Sequence, residues 1–89
     1  MNVFYFTKKA KKIFLKLPLF EQKRILEKLR ELKGHEDIFS VLVHMVNSDY
    51  ATHRLRIGQY RLLLTLEKNE SNNVEFLVID VGHRREIYR

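Results

Sequence analysis

The stretch that decides the fold is His53-Arg-Leu-Arg-Ile-Gly-Gln-Tyr-Arg-Leu-Leu-Leu-Thr-Leu-Glu67. Residues 53–57 alternate polar and apolar side chains, which is the period of a half-buried β-strand, and residues 60–67 predict a second strand. Gly58 and Gln59 stand between them as a two-residue turn with glycine first. The stretch therefore predicts a β-hairpin with one apolar face. That face carries six side chains: Leu55, Ile57, Tyr60, Leu62, Leu64 and Leu66.

The register of this hairpin brings arginines together on its other face. With a two-residue loop, Arg56 lies opposite Arg61, and Arg54 shares their face. Like charges directly opposite on a sheet cost up to about 1 kcal/mol, and the hairpin has no carboxylate before Glu67. Three guanidiniums on a rigid sheet suit an anion such as phosphate, which arginine can bind through two parallel hydrogen bonds. The alternative is a solvated arginine face, neutralised by Glu75 across the sheet.

A strand and two helices precede the hairpin. Residues 2–6 (Asn-Val-Phe-Tyr-Phe) are short, aromatic and β-branched, and predict the first strand. Thr7 predicts the N-cap of a helix that ends before Pro18. A second helix is expected from about Pro18 to Lys33, with Gly34 as a left-handed stop. Each helix has one apolar face at helical spacing, so the two predict an αα-hairpin.

The rest of the chain predicts the fold class. Residues 35–52 fit either a partly helical connection, which their spacing favours, or a strand. Residues 69–73 predict a polar loop, and 74–81 are so apolar that they predict a central strand covered on both faces. Helices followed by hairpin-linked strands indicate an α+β fold. We expect an N-terminal strand and an α-hairpin packed on one face of a small, mainly antiparallel β-sheet.

Length and composition limit the class of protein. The chain has 89 residues, 45% hydrophobic and 31% charged, which suits one folded domain spanning 1–89. It has no cysteine, which excludes disulfides, thiol catalysis and the common zinc sites. No apolar run is long enough for a membrane span, and the histidines lack metal-ligand spacing. We expect a soluble cytoplasmic protein with no metal and no small-molecule cofactor. The formal net charge of +6 favours a polyanionic partner, either nucleic acid or an acidic protein.

Two further groups of basic residues could bind such a partner. Four lysines cover the first helix: Lys8, Lys9, Lys11 and Lys12. The C-terminal stretch Gly82-His-Arg-Arg-Glu-Ile-Tyr-Arg89 contains apolar residues that are poor choices for a free tail, so we expect it to dock on the sheet. It would bring along a proton-transfer group, His83, and two more arginines, Arg84 and Arg85. Tyr88 could stack on a base or orient a group.

Each of these residues also has a plain structural interpretation. His83 can be a surface residue, Arg84 and Arg85 can pair with nearby carboxylates, and Tyr88 can be a core aromatic. His53 shares the parity of the hairpin's apolar face, so we expect it at the edge of the core rather than in a catalytic site.

The hairpin and the C-terminal stretch together resemble a known family. The string His53-Arg-Leu-Arg-Ile-Gly-Gln-Tyr-Arg-Leu-Leu63, followed by Val81-Gly-His-Arg-Arg-Glu-Ile-Tyr88, resembles the RelE/ParE superfamily of toxins from type II toxin–antitoxin systems. Phe14-Leu-Lys-Leu-Pro18 and Gln22-Lys-Arg-Ile25 are similar to the N-terminal half of that family. The resemblance implies a RelE-like α+β toxin that a small acidic antitoxin wraps and neutralises. For RelE-like members it implies ribosome-dependent cleavage of mRNA, in which the 2′-hydroxyl attacks the adjacent phosphate.

The resemblance also assigns candidate residues. The implied catalytic set is Arg56, Arg61, His83, Arg84 and Tyr88. The implied substrate-binding set is Arg54 and Arg85, with Lys8, Lys9, Lys11 and Lys12 facing ribosomal RNA.

One departure from the family concerns the general base. RelE-like enzymes often carry lysine, or glutamate in related branches, where this chain has Arg54 and Arg56. Arginine stays protonated at physiological pH, so neither can take the 2′-hydroxyl proton. Our hypothesis is that His83 transfers the proton while the arginines hold the phosphate. The alternatives are a ParE-like, non-enzymatic inhibitor of DNA gyrase, or an inactive toxin homologue that acts as a binding partner.

Overall fold

The computed structural model describes residues 1–83, in which helices and strands segregate as predicted. The elements are β1 (Asn2–Phe6), α1 (Lys8–Leu15), α2 (Leu19–Lys33), a 3₁₀ turn (Ile38–Ser40), β2 (Val43–His44), β3 (His53–Ile57), β4 (Tyr60–Glu70) and β5 (Asn73–His83). The strands form one sheet in the order β1-β5-β4-β3-β2. Within this part of the chain, no helix has the length and apolar character needed to cross a membrane.

The sheet is mainly antiparallel, as expected. β1 runs parallel to β5, and all the other neighbouring strands are antiparallel. The α+β class, with a strand and an α-hairpin on one face of the sheet, is therefore confirmed.

The central strand is β4 and not β5, so the prediction for residues 74–81 is wrong in this respect. β5 lies second from the edge, and its Leu77 and Ile79 are only half-buried, because the helices cover just one face of the sheet. In β4, by contrast, the three consecutive residues Leu62, Leu63 and Leu64 are all buried. β5 is apolar along its length although only its inner face meets the core.

The core fills the space between the helices and the inner face of the sheet. Phe14 of α1 and Ile25, Leu29 and Leu32 of α2 pack in one cluster with Leu55, Ile57, Leu62, Leu64, Phe76, Val78 and Val81 of the sheet. The apolar hairpin face predicted from the sequence belongs to this cluster, with Tyr60 and Leu66 partly buried against it. Hydrophobic burial on this face fixes which side chains remain on the other face.

The αα-hairpin is confirmed by its caps and its link. Thr7 Oγ1 accepts a hydrogen bond of 3.0 Å from a backbone amide in the first turn of α1. Pro18 stands immediately before α2, and its carbonyl accepts from Glu21 N at 2.9 Å. The side-chain amide of Gln22 donates to Leu17 O at 2.9 Å, which ties α2 to the link between the helices.

Asn2, and not a left-handed glycine, completes the end of α2. Gly34 has φ −98° and ψ 6°, so the predicted left-handed stop is wrong. Asn2 is 4% exposed, and its side-chain amide donates to Leu32 O at 2.8 Å and to His35 O at 2.7 Å. Leu32 O also accepts from the backbone amide of His35 at 3.1 Å, so the end of α2 is hydrogen-bonded without a left-handed residue, and Asn2 ties it to β1.

The polar loop predicted over 69–73 is mostly strand. β4 and β5 continue to Glu70 and Asn73, which pair across a turn of only two residues. The N-terminal amine of Met1 donates to Asn72 O at 2.8 Å, and Val74 N donates to Met1 O at 2.9 Å. The extension of the hairpin therefore has a partner in the first residue of the chain, which polar composition alone does not indicate.

Residues 35–52 contain a little of both predicted structures. The 3₁₀ turn is the helical part, and β2 is a strand of two residues. Ile38 and Leu42 are buried in the core and anchor the segment. Its end is tied to β4, because Thr52 N donates to Leu64 O and Thr65 Oγ1 donates to Tyr50 O, both at 2.8 Å.

The double hydrogen bond from Asn2 makes a prediction about stability. Asn2→Ala removes both hydrogen bonds, one of them buried, and should lower the free energy of unfolding by about 1–3 kcal/mol. Asn2→Asp should cost at least as much, since a carboxylate can only accept. Urea unfolding measures both, with Asn69→Ala, an exposed asparagine of β4, as the matched control. Equal stability of the Asn2 and Asn69 variants would contradict this account.

Candidate functional site

The three hairpin arginines surround a small depression on the face of the sheet away from the helices. We call it the arginine basin; it has a volume of about 240 Å³ and is lined by Arg54, Arg56, Arg61, Val41 and Val43. Arg56 is exposed, while Arg54 and Arg61 are half-buried. The basin thus joins three guanidiniums, and among residues 1–83 its lining includes no carboxylate.

The hairpin register places these arginines as predicted. Arg56 pairs with Arg61, and Arg54 pairs with Leu63. Leu63 is 3% exposed although it lies on the arginine face, so the sheet is covered at this position on its outer face as well. Burial at this position favours a fixed arrangement of the guanidiniums, because the aliphatic stems of arginine can pack on apolar surface.

Two valines of the basin were not anticipated from the sequence. Val43 belongs to β2 and pairs with Arg54, and Val41 precedes it just after the 3₁₀ turn. They close the basin on the side of residues 35–52, the segment whose structure the sequence left open. The alternation in Val41-Leu-Val43, with Leu42 buried and its neighbours less so, is the signal that could have placed the valines on the arginine face.

The carboxylate proposed to neutralise the arginines lies elsewhere. Glu75 pairs with Lys68 of β4, and its Oε2 accepts from Asn73 Nδ2 at 3.1 Å. Arg61 pairs with Gly82, at the opposite end of β5. Asp80 is closer in the register, across from Leu63, and its Oδ1 accepts from Val81 N at 2.9 Å. The positive charge of the basin is therefore not cancelled by Glu75.

His83 is placed beside Tyr60, not opposite an arginine of the basin. Tyr60 pairs with His83 across β4 and β5, and the centroids of their rings are 5.8 Å apart. Gly82 is the residue opposite Arg61. Since successive strand residues point to opposite faces, His83 lies on the face of Tyr60 and the arginine basin lies on the other face. Arg84, Arg85 and Tyr88 lie outside the described residues.

The lysines form a separate basic surface. Lys8, Lys9, Lys11 and Lys12 are exposed on α1. Because α1 packs on the inner face of the sheet, its lysines lie on the opposite side of the molecule from the arginine basin. The structure therefore groups Arg54, Arg56 and Arg61 and keeps the lysines apart from them.

His53 is a core histidine, as its position on the apolar face predicts. It is 7% exposed, and its ring centroid lies 5.4 Å from that of Phe39, 5.7 Å from Phe76 and 5.1 Å from His44. Its Nδ1 lies 2.9 Å from Thr52 Oγ1. Burial, and secondly the positive charge that His44 can carry, lower the pKa of His53 below the ordinary histidine value.

Across residues 1–83, no three histidine or acidic side chains come together in a way that could hold a metal ion. The guanidiniums of the arginine basin can bind a phosphate and stabilise negative charge that develops on it.

Comparisons with known proteins bear on the fold. No protein-family model matches the sequence, and no curated protein matches it. The structure is similar to a chain of the toxin–antitoxin complex RelBE2 from Mycobacterium tuberculosis, with 23% identity, a TM-score of 0.72, and coverage of 92% of this chain and 96% of that one. It is also similar to a chain of the RelB–RelE antitoxin–toxin complex from Methanococcus jannaschii, with 24% identity, a TM-score of 0.62 and 94% coverage of both. The chain therefore has the RelE-like fold that the sequence resemblance implies.

The lowered pKa of His53 predicts how stability depends on pH. Below the ordinary value of 6.5 the unfolded chain takes up a proton that the folded chain resists, so the free energy of unfolding falls as the pH drops from 7 towards 5. His53→Gln should flatten this dependence, and His35→Gln, at an exposed histidine, should not. Urea unfolding at several pH values measures the slopes. A slope that His53→Gln leaves unchanged would show that His53 is not the group responsible.

The pairing of Arg56 with Arg61 predicts that removing one of the two charges raises stability and weakens anion binding. Arg56→Gln removes one of two like charges that lie directly opposite, and should raise the free energy of unfolding by a few tenths to about 1 kcal/mol at low salt. The gain should shrink at high salt, where the repulsion is screened. The same variant should bind pyrophosphate more weakly. Arg30→Gln, at an exposed arginine of α2, is the control for both measurements, and a stability loss specific to Arg56→Gln would contradict the prediction.

Proposed function

We propose that this chain is the toxin of a type II toxin–antitoxin system and acts as a ribosome-dependent mRNA endonuclease. Two independent observations support the proposal. The fold is that of chains in RelB–RelE complexes, and the hairpin of this fold carries the arginines that the sequence resemblance assigns to the phosphate. The substrate would be an mRNA presented by the ribosome, and the reaction needs neither metal nor cofactor.

The observation that carries the proposal is the direct pairing of Arg56 with Arg61 beside Arg54. Holding like charges opposite each other lowers stability by up to about 1 kcal/mol, and a bound anion would offset that cost. The basin, at about 240 Å³, has room for a phosphate group and too little for a nucleoside as well. A phosphate of an extended RNA backbone, with its bases outside the basin, suits this space.

In the proposed reaction the arginines stabilise charge. The 2′-oxygen forms a bond to phosphorus, the bond from phosphorus to the 5′-oxygen breaks, and the products are a 2′,3′-cyclic phosphate and a 5′-hydroxyl. The 2′-hydroxyl gives up one proton and the leaving 5′-oxygen gains one. Negative charge on the phosphoryl oxygens is greatest at the pentacovalent stage, where the Arg56 and Arg61 guanidiniums bind it more strongly than in the ground state.

Proton transfer is the step that the arginines cannot perform. We keep His83 as the proposed proton-transfer group, with Arg84 as a further phosphate ligand and Tyr88 as the aromatic of the site. The position of His83 beside Tyr60, on the other face from Arg61, favours a second candidate function: a toxin homologue that binds its target without cleaving RNA. A gyrase inhibitor of the ParE type belongs to this non-enzymatic class.

The proposed antitoxin is a small acidic protein. The chain carries a net charge of +6, and large apolar side chains are exposed on its helical layer: Leu19 at 76% and Phe20 at 68%, at the start of α2. An acidic chain that also offers apolar residues would cover both features. Exposed apolar groups beside basic ones are typical of a surface that a partner protein covers.

Cell-free translation with purified, antitoxin-free protein tests the proposed activity. Primer extension should detect mRNA cuts at in-frame positions when ribosomes are present and none when they are omitted. Arg61→Ala should lower the cleavage rate about 100-fold, the usual effect of removing one group that stabilises a developing oxyanion. Arg61→Lys should recover part of the rate, and Arg30→Ala on α2 should cleave like the unchanged protein.

Two results would redirect the assignment. Intact mRNA during active translation would exclude the nuclease and point to supercoiling assays with gyrase. Cleavage that Arg61→Ala leaves intact would exclude the arginine basin as the site. His83→Ala examines the proton-transfer step by itself: a loss of about 100-fold is expected if His83 acts as a base, and an unchanged rate would assign the step to another group.

A further inference from the structure

Arg24 of α2 lies against the turn of the β3–β4 hairpin. A Cβ built on Gly58 would lie 2.5 Å from Arg24 Nη1 and 3.5 Å from its Cζ, so the guanidinium occupies the space of a side chain at this turn. Gly58 also has φ 61°, a left-handed conformation that favours glycine. The turn thus needs glycine for its backbone, and Arg24 lies in the space that a side chain would take there.

The same turn is approached by Arg56 from the sheet. Arg56 Nε lies 3.5 Å from Gly58 O, and Arg56 pairs with Arg61 in the basin. Arg24, Arg56 and Arg61 therefore follow one another around the end of the hairpin. This row of arginines leads from the open face of the sheet to α2.

Two depressions meet at Arg56. One is the arginine basin, and the other, which we call the α2 groove, has a volume of about 520 Å³. The α2 groove is lined by Arg24, Arg56, Ile57 and Gly58, together with Glu27, Lys28 and Glu31 of α2. Since Arg56 lines both, a chain bound in the basin can continue into the end of the groove where Arg24 meets Gly58.

Arg24 is the cation of the groove that is best placed to bind an anion. Lys28 is engaged with Glu31, since its Nζ lies 3.7 Å from Glu31 Oε1. Arg24 Nη1 lies 3.6 Å from Glu21 Oε1, yet the side chain of Arg24 remains 55% exposed. Its guanidinium has five N–H donors, so one contact leaves the others available.

Glu21 holds Arg24 in this place. Its side chain is 9% exposed, and it lies in the first turn of α2, where the helix dipole favours a carboxylate. Burial restricts the carboxylate to one position, and its attraction for Arg24 Nη1 directs the guanidinium to the hairpin turn. Glu21 is a positioning residue in this arrangement, because it does not itself reach the α2 groove.

We propose that Arg24 binds a second phosphate of the same RNA strand, adjacent to the phosphate in the arginine basin. This inference rests on the proposed function, and it extends the substrate contact from one phosphate to two consecutive ones. Glu27 and Glu31 make the rest of the groove unfavourable for an anion, so the contact is confined to the end where Arg24 meets Gly58. The substrate would thus cross the hairpin turn.

Short single-stranded RNAs test this subsite without requiring ribosomes or cleavage. The probes are 2′-O-methylated dinucleotides, which cannot be cut, with one internucleotide phosphate or with an added 5′- or 3′-phosphate. Fluorescence anisotropy measures their binding to the unchanged protein and to Arg24→Ala, Arg61→Ala and Arg30→Ala. Arg30 is the matched control, because it is an exposed arginine on the same helix that lines neither depression.

The Arg61→Ala and Arg24→Ala variants are expected to differ in how they bind the probes. Arg61→Ala should weaken the binding of every probe. Arg24→Ala should leave the one-phosphate probe unchanged and remove the gain from the added phosphate, about 5-fold, which is typical of a half-exposed ionic contact. The association constant K of the two-phosphate probe should also fall less steeply with salt in this variant. The slope of log K against log salt should be smaller in magnitude by about 0.7, the value for one phosphate contact on a single strand. Glu21→Gln should lose part of the affinity that the added phosphate contributes.

A purely structural role for Arg24 gives a different result. If Arg24 only supports the turn, Arg24→Ala weakens all the probes by the same factor and lowers the melting temperature, and the proposed subsite is excluded. Arg24→Lys, which keeps the charge and loses the planar fork, should retain the salt slope while lowering affinity.

The failure of the subsite is distinguishable from that of the proposed function. If Arg61→Ala weakens binding and Arg24→Ala behaves like Arg30→Ala, the second subsite is wrong and the basin stands. If Arg61→Ala has no effect on any probe, the basin itself is wrong. Absence of measurable binding by the unchanged protein would overturn both.

Discussion

The pairing of β3 with β4 is the constraint on which the rest of this structure depends. A two-residue turn at Gly58 sets Arg56 opposite Arg61, and the same register sends Leu55 and Leu62 into the core. A shift of one residue would exchange the two faces, burying guanidiniums and exposing leucines, at a cost of many kcal/mol. Burial of the apolar face therefore holds the charged face in place, although repulsion between the arginines opposes the arrangement.

Features that arise from local periodicity were predictable from the sequence. The hairpin register and the Thr7 cap follow from neighbours in the chain, and so does the burial of His53, because period-two alternation needs no knowledge of distant residues. Features that join distant residues were not predictable in this way. The end of α2 is completed by Asn2, 30 residues away in the chain from Leu32, and a rule based on Gly34 could not anticipate it.

The candidate site shows the same division. Arg54, Arg56 and Arg61 were found from the hairpin alone, whereas Val41 and Val43 come from a segment whose helical and strand signals are balanced. His83 was grouped with the arginines because it is near them in the family motif. In the structure, Gly82 lies opposite Arg61, and successive residues of β5 point to opposite faces of the sheet. His83 is therefore separated from the arginines. Residues that share a motif thus need not share a face.

The parallel pairing of β1 with β5 has a consequence for the order of assembly. β1 is made first, and each of its residues pairs with one about 72 positions later, as Asn2 does with Val74. β5 also separates β1 from β4, so β1 has no strand to join until β5 is present. Contacts of such separation carry a large loop-closure entropy and slow folding. The N-terminal strand must therefore stay unpaired until β5 has been made, although it is the first strand in the chain.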